Sequence, residues 1–179
     1  MTLYTIQPLH LYENLILHKS LLNTGDFIND YTKEFLDSYN WMVEQMLRYG
    51  LSKPKNANYP FWAWYKYSSE KNKPDLRHSA HAPRDTKCVC LELEISDNLV
   101  LLSNFDLWHC VLNNIPIFDD SEWDKKYAEY KKLSTISQNK IKKGSWEKIF
   151  TDLTDSPIQA TFWELKNQDI KDVRFFTAR

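Results

Sequence analysis

The sequence predicts an α+β fold: one domain on a mostly antiparallel sheet, continuous or split, with flanking helices. Three observations carry this expectation. The first is Tyr59-Pro60-Phe61-Trp62-Ala63-Trp64-Tyr65-Lys66-Tyr67, where six of nine residues are aromatic and none is glycine. Such a run suits a central strand, with its Pro at the start where a strand tolerates one. The second is Cys88 to Ile95, which alternates apolar and other residues. An Asp97-Asn98 turn and Leu99 to Leu102 follow it, the pattern of a hairpin. The third is the element order: strand, two helices, strand, long loop, hairpin, helix, helical insert and terminal hairpin.

Leu3 to Gln7 is short and β-rich, and Pro8 follows at once. Proline suits the first turn of a helix because its missing N–H has no intrahelical partner there. The first helix is therefore expected over Pro8 to Lys19, with Leu11, Tyr12, Leu15 and Leu22 forming its apolar stripe. Thr24-Gly25-Asp26 breaks it. A second helix is expected over Tyr31 to Tyr49, where Phe35, Tyr39, Met42 and Met46 recur at helical spacing and Gly50 caps the end. Ser52 to Asn58 is a polar, basic loop.

In the aromatic strand, alternation sets Phe61, Ala63 and Tyr65 on one face and Trp62, Trp64 and Lys66 on the other. One face packs on a core; the other lines a groove or meets a helix. Ser68 to Pro83 is polar and long for a plain connection, and it carries Arg77, His78 and His81. Long loops of this kind are either functional or simply solvated. In the next strand Val89, Leu91, Leu93 and Ile95 face the core, while Cys88, Cys90, Glu92 and Glu94 face away.

Ser103 reads as the N-cap of a third helix that runs to Asn113, with Asp106 in its first turn. Asp106, His109 and Asn113 share one face of it. Asp106 and His109 make either an acid/base pair or a structural lock. From Ile115 to Phe150 the chain is polar and lysine-rich. Helices are expected over Ser121 to Leu133 and Gly144 to Phe150, anchored by Trp123 and Trp146. Lys125, Lys126, Lys131, Lys132, Lys140, Lys142 and Lys143 form either a nucleic-acid footprint or a solvated face. Ile158 to Leu165 alternates, with Gln159, Thr161, Trp163 and Leu165 on one side. Asn167 to Ile170 is a turn, and Val173 to Thr177 the last strand.

The totals exclude several classes. With 179 residues, 42% hydrophobic and 26% charged, the chain fits one ordinary globular domain. Its 3 glycines form no G-x-G-x-x-G or G-x-x-x-x-G-K, which removes the Gly-rich phosphate loops. A formal net charge of -1 makes no global demand for a polyanion. No apolar run spans a bilayer, and Met1 to Thr5 does not open a signal peptide. No membrane partner is expected. Cys88, Cys90 and Cys110 are too few and too badly spaced for a zinc ribbon. Reduced thiols in a cytoplasmic protein are expected. His78-x-x-His81 with Asp106 and His109 is a weak basis for a metal hydrolase, since no H-E-x-x-H stands on a helix. No metal is expected.

The stretches Leu3-Tyr4-Thr5-Ile6-Gln7, Tyr59 to Tyr65, Pro74-Asp75-Leu76-Arg77, Leu101 to His109, Ile158 to Leu165 and Phe175 to Arg179 together resemble a bacterial domain-of-unknown-function family. The resemblance spans nearly the whole chain and implies no particular activity. A second resemblance is architectural. A short first strand running straight into a helix is similar to the opening of small ADP-ribosyltransferases that modify nucleic acid. That resemblance implies NAD as cofactor and a catalytic carboxylate near the end of the chain. Gln7 stands where those proteins have a His or Arg. Glu164 or Gln159 stands at the catalytic place.

Cleaving the nicotinamide–ribose bond builds an oxocarbenium-like centre, which a carboxylate stabilises while aromatic rings stack on the bases. On this reading Glu164 supplies the carboxylate and Trp62, Trp64 or Tyr65 the stacking. Arg77, His78 or His81 holds the diphosphate. The alternative is a non-catalytic module that grips nucleic acid or a protein with the aromatic groove and the lysine-rich segment.

Overall fold

Six antiparallel strands form the main sheet of the computed structural model, which describes residues 1–26, 33–68, 70–154 and 156–179. In chain order the strands are β1 (Thr2–Pro8), β2 (Ser20–Leu22), β3 (Phe61–Lys66), β4 (Lys87–Glu94), β5 (Leu101–Asn104), β6 (Ile158–Phe162), β7 (Glu164–Lys166) and β8 (Ile170–Thr177). The main sheet runs β5-β6-β3-β1-β4-β8, and β2 pairs with β7 in a second, two-stranded sheet. The helices are α1 (Leu9–His18), α2 (Leu36–Arg48), α3 (Phe105–Leu112), α4 (Trp123–Lys131), α5 (Thr135–Ser145) and α6 (Lys148–Thr151). The expected α+β class and antiparallel sheet are both present. No helix among the described residues is long and apolar enough to cross a membrane.

Opposed residues of an antiparallel pair share a face, so the registers assign the two sides. Leu3 opposes Leu93, Thr5 opposes Leu91, Phe61 opposes Phe162 and Ala63 opposes Ala160. This side carries one core, in which Leu15 of α1 packs on Leu3, Leu91, Leu93 and Phe162. Trp62 opposes Thr161, which opposes Leu101, on the other side. There α2, α3 and α6 bring Met42, Met46, Trp108, Val111, Ile149 and neighbouring rings into a second core. Burying each such side chain contributes roughly 1.5–3 kcal/mol.

Pairing departs from the expected hairpins. Leu99 to Leu102 does not return against Cys88 to Ile95. β1 takes one side of β4 and β8 the other, so β4 has no free edge. β5 instead crosses to the far edge and pairs with β6. Nor do the last strands form a hairpin, since β6 lies between β3 and β5 while β8 lies on β4. The Ile158 to Leu165 strand also breaks at Trp163. Its indole donates to the Leu51 carbonyl oxygen (3.2 Å), and the chain passes into the second sheet. The break turns Leu165 into the same core as Phe162 and Ala160.

The far side of β4 is also covered. Cys88 and Cys90, expected to face away from a core, are buried under the loop from residue 67 to 86. Tyr65 does not join Phe61 and Ala63. The register slips between Trp64 and Lys66, and Tyr65 is 40% exposed at that bulge.

Among the helices, α1 matches its predicted bounds within a residue and ends at Lys19, whose φ of 68° is left-handed. Leu22, assigned to its stripe, instead lies in β2. α2 starts at Leu36 after one 3-10 turn. Tyr31 and Thr32, the predicted first residues of that helix, lie outside the described residues. α5 was not expected. Its composition is polar, but Ser134 caps it by accepting from the Ser137 N–H.

Candidate functional site

A cleft of about 750 Å³ opens where β1 ends and α1 begins. A cleft of this size suits a small-molecule ligand. Ile6, Gln7 and Pro8 form one wall, with His10, Leu11 and Asn14 from the first turns of α1. Leu21 to Thr24 with Asp26, and Pro60 to Trp62 with Tyr39, complete the lining. Each contribution has a local cause. Pro8 ends the strand and starts the helix, and no side chain caps α1, whose first turn holds no acidic residue. The leading N–H groups and the positive end of the helix dipole therefore face this end of the sheet.

Gln7 is held in one orientation. Its Nε2 donates to Thr5 Oγ1 (2.7 Å), and that hydroxyl donates to the Trp62 carbonyl oxygen (2.7 Å). The amide oxygen is left as the acceptor Gln7 can offer. Asn23 is structural. Its Nδ2 donates to the Pro60 carbonyl oxygen (3.1 Å) and its Oδ1 accepts from the Gly25 N–H (3.0 Å). Gly25, at φ 93°, takes a turn conformation that few other residues adopt. Tyr39 meets Trp62 edge-to-face at 6.3 Å, and burial pushes its phenol up. Among the described lining residues there is no Lys or Arg, and Asp26 is the one carboxylate.

Glu164 and Gln159 part company. Glu164 opens β7, where it opposes Leu22 of β2, a cleft residue. Its carboxylate pairs with Lys166 at 3.2 Å and does not itself line the cleft. Gln159 lies mid-sheet, between Trp64 of β3 and Ser103 of β5 on the opposite side of the sheet from the α1 core. Gln159 Oε1 and Ser103 Oγ are buried there without a hydrogen-bond partner among the described residues.

The other predicted cofactor residues form a separate cluster on that side. Trp64 meets Tyr67 at 5.1 Å and Phe105 at 4.8 Å, and Phe105 meets His109 at 4.5 Å. Tyr67 meets His81 at 5.9 Å, and His81 meets His78 at 6.0 Å. The result is a row of rings beside the sheet, on the face opposite Gln7; Trp62 shares that face with Trp64 and meets Trp108 of α3 at 5.0 Å. Most of its polar groups are already engaged. His81 Nε2 donates to the Asp75 carbonyl oxygen (2.8 Å). Arg77 forks onto Asp75 through Nε (2.9 Å) and Nη2 (2.7 Å), holding that carboxyl well below the usual carboxylate range. His109 Nδ1 donates to the Phe105 carbonyl oxygen (2.9 Å). No hydrogen bond joins Asp106 to His109 among the described residues. Tyr65 stands apart at its bulge.

The lysine-rich segment is partly neutralised. Lys126 pairs with Glu122 (2.9 Å), Lys148 with Asp119 (2.6 Å), and Lys142 is buried with its ammonium 5.7 Å from the Trp146 ring centre. No group of three or more His, Cys, Asp or Glu among the described residues is placed to hold a metal ion.

Sequence reasoning picked out Gln7 and Trp62 but missed His10, Asn14, Thr24, Asp26 and Tyr39. The signal available was the run Thr24-Gly25-Asp26, read only as a helix breaker.

One family model, described as Domain of unknown function (DUF3841), matches residues 2–171. No curated protein and no solved structure matches the chain.

Proposed function

The chain belongs to this family, whose description names no activity, and from its geometry we propose an ADP-ribosyltransferase-like enzyme that takes NAD into the cleft beside β1. The observation that carries the reading is the meeting of Gln7 and the uncapped start of α1 in one cleft. A helix start supplies N–H donors and positive potential for a diphosphate, which answers the lack of Lys and Arg in the lining. The fixed amide oxygen of Gln7 accepts from a ribose hydroxyl or from the nicotinamide carboxamide. Trp62 and Tyr39 give an aromatic wall for a flat ring. Glu164 is the carboxylate for the oxocarbenium-like centre, reaching it from the strand beside Leu22 after leaving Lys166. Gln159 has no part in this arrangement, and neither do Arg77, His78 and His81.

The test is a thermal-shift titration with NAD, using ATP and short oligonucleotides as controls, followed by NAD turnover. At 100 times its dissociation constant NAD stabilises by about 2.7 kcal/mol. Glu164→Gln is expected to keep the NAD shift and lose nicotinamide release. Nicotinamide release at the wild-type rate in folded Glu164→Gln would remove the carboxylate's role. No NAD shift at all would remove the cofactor.

The ring row favours a second reading, a nucleic-acid or protein-binding module in which successive bases or side chains stack on Trp64 and Phe105. It predicts oligonucleotide binding that falls with salt and weakens in Trp64→Ala. Binding unchanged in that variant would exclude it.

A further inference from the structure

We infer that β8 is a pairing surface for a second copy of this chain, joining two sheets edge to edge in an antiparallel dimer. The inference is independent of the cleft, which lies at the end of β1, two strands away from β8 in the sheet.

β8 is eight residues long and stands at the sheet edge with β4 on one side. Every position along it is intermediate or exposed, with no buried position. No described backbone group pairs with its outer side. A strand of this length with an open ladder is a template for another strand.

The sequence of β8 selects a copy of itself. An antiparallel self-pairing centred on Val173 sets Asp172 opposite Arg174 of the second copy. The two-fold axis repeats the contact as Arg174 opposite Asp172. Within one chain Arg174 Nε already lies 3.4 Å from Asp172 Oδ2, so the four groups form a closed ring of alternating charge. Opposite charges facing each other across strands stabilise the pair, and like charges destabilise it. The same register sets Lys171 opposite the ring of Phe175 of the second copy, an ammonium over an aromatic face.

An apolar margin runs beside this edge. Phe175 is 64% exposed and meets Tyr12 of α1 edge-to-face at 5.7 Å. Ile16 follows Tyr12 by one helical turn and is 40% exposed. A second copy related by the two-fold brings its own Tyr12, Ile16 and Phe175 to the same side of the joined sheet, where the two margins cover each other. A lone edge strand with charges of one sign would repel its copy. This one is self-complementary.

Sedimentation over a concentration series tests the inference with charge exchange. Wild-type protein is expected to show a monomer–dimer equilibrium. Asp172→Arg places four arginines at the centre, and Arg174→Asp places four aspartates there. Each alone is expected to weaken dimerisation by about tenfold or more, with an unchanged melting curve. Mixed in equal amounts, the two variants are expected to dimerise again, because each charge then faces its opposite. A wild-type chain that stays monomeric up to millimolar concentration overturns the inference. So does a dimer that neither variant weakens, or a mixture that stays as weak as its components.

Discussion

Cys88 and Cys90 lie one residue apart in β4 and share a face, with Cys88 2% and Cys90 6% exposed. Burial pushes the Cys90 thiol up to about 11, with Arg174 and Lys73 opposing only in part. Burial also raises Cys88. A thiol reacts through its thiolate, so both are expected to resist alkylation near neutral pH in the folded protein and to label fully once unfolded. Native labelling of Cys90 at the rate of a free thiol would contradict the burial argument. The sign for stability follows from the raised folded value. The Cys90 contribution is complete below the unfolded thiol range, near 8.5, and is lost as pH climbs toward about 11. The same residue scale explains what the sequence revealed of the site. Gln7 was named through the architectural resemblance and Trp62 as one of three rings suited to stacking, and both fall in the lining of one cleft. Arg77, His78 and His81 looked equally suitable as residue types. Their location depends on how a long loop folds back over β4, and no local rule encodes that.

Between β5 and α3 one residue decides where a strand becomes a helix. Ser103 and Asn104 are both good N-cap residues, and the sequence favoured Ser103. Pairing settles the matter: Ser103 opposes Gln159 in the sheet and is fully buried, which leaves Asn104 at the cap. Asn104 Oδ1 accepts from the Leu107 N–H (3.0 Å), and its Nδ2 donates to the Asp152 carbonyl oxygen (2.7 Å). One side chain thus starts the helix and pins the segment before β6. Asn104→Ala removes both bonds and is expected to cost about 2 kcal/mol, or roughly 4–8 °C in melting temperature. Asn104→Asp keeps the cap acceptor and loses only the donor, so it should recover part of that loss. Thermal melts of the two variants separate the cap from the tether. Equal losses would leave the cap without weight. Strands and helices with strong periodicity were legible at this scale. α5 and the break at Trp163 were not, because one is a polar helix fixed by its cap and the other is fixed by a contact with Leu51.

The pairing order is a property of the whole chain. β1 finds β4, and β3 finds β6, across long separations, and an apolar alternation says which face is buried without saying which partner buries it. The consequence of the observed order is mechanical. β3, β5 and β6 each send alternate residues to opposite sides: Phe61 and Ala63 against Trp62, Leu102 against Leu101, and Ala160 and Phe162 against Thr161. The two cores therefore share a wall, and neither can open without exposing the other through the same strands. Leu91 belongs to the α1 side and Met42 to the helical side, and both are fully buried. Leu91→Ala and Met42→Ala are each expected to cost about 2–5 kcal/mol. Each should shift a single transition. Far-ultraviolet dichroism follows the sheet and helices, while fluorescence reports the 7 tryptophans, of which Trp41, Trp108, Trp146 and Trp163 belong to the helical-side core and none to the α1-side core. If the shared wall couples the cores, Leu91→Ala lowers the fluorescence midpoint as far as the dichroism midpoint, although no tryptophan belongs to its core. A fluorescence midpoint left at the wild-type value would mean that the two sides of the sheet unfold separately.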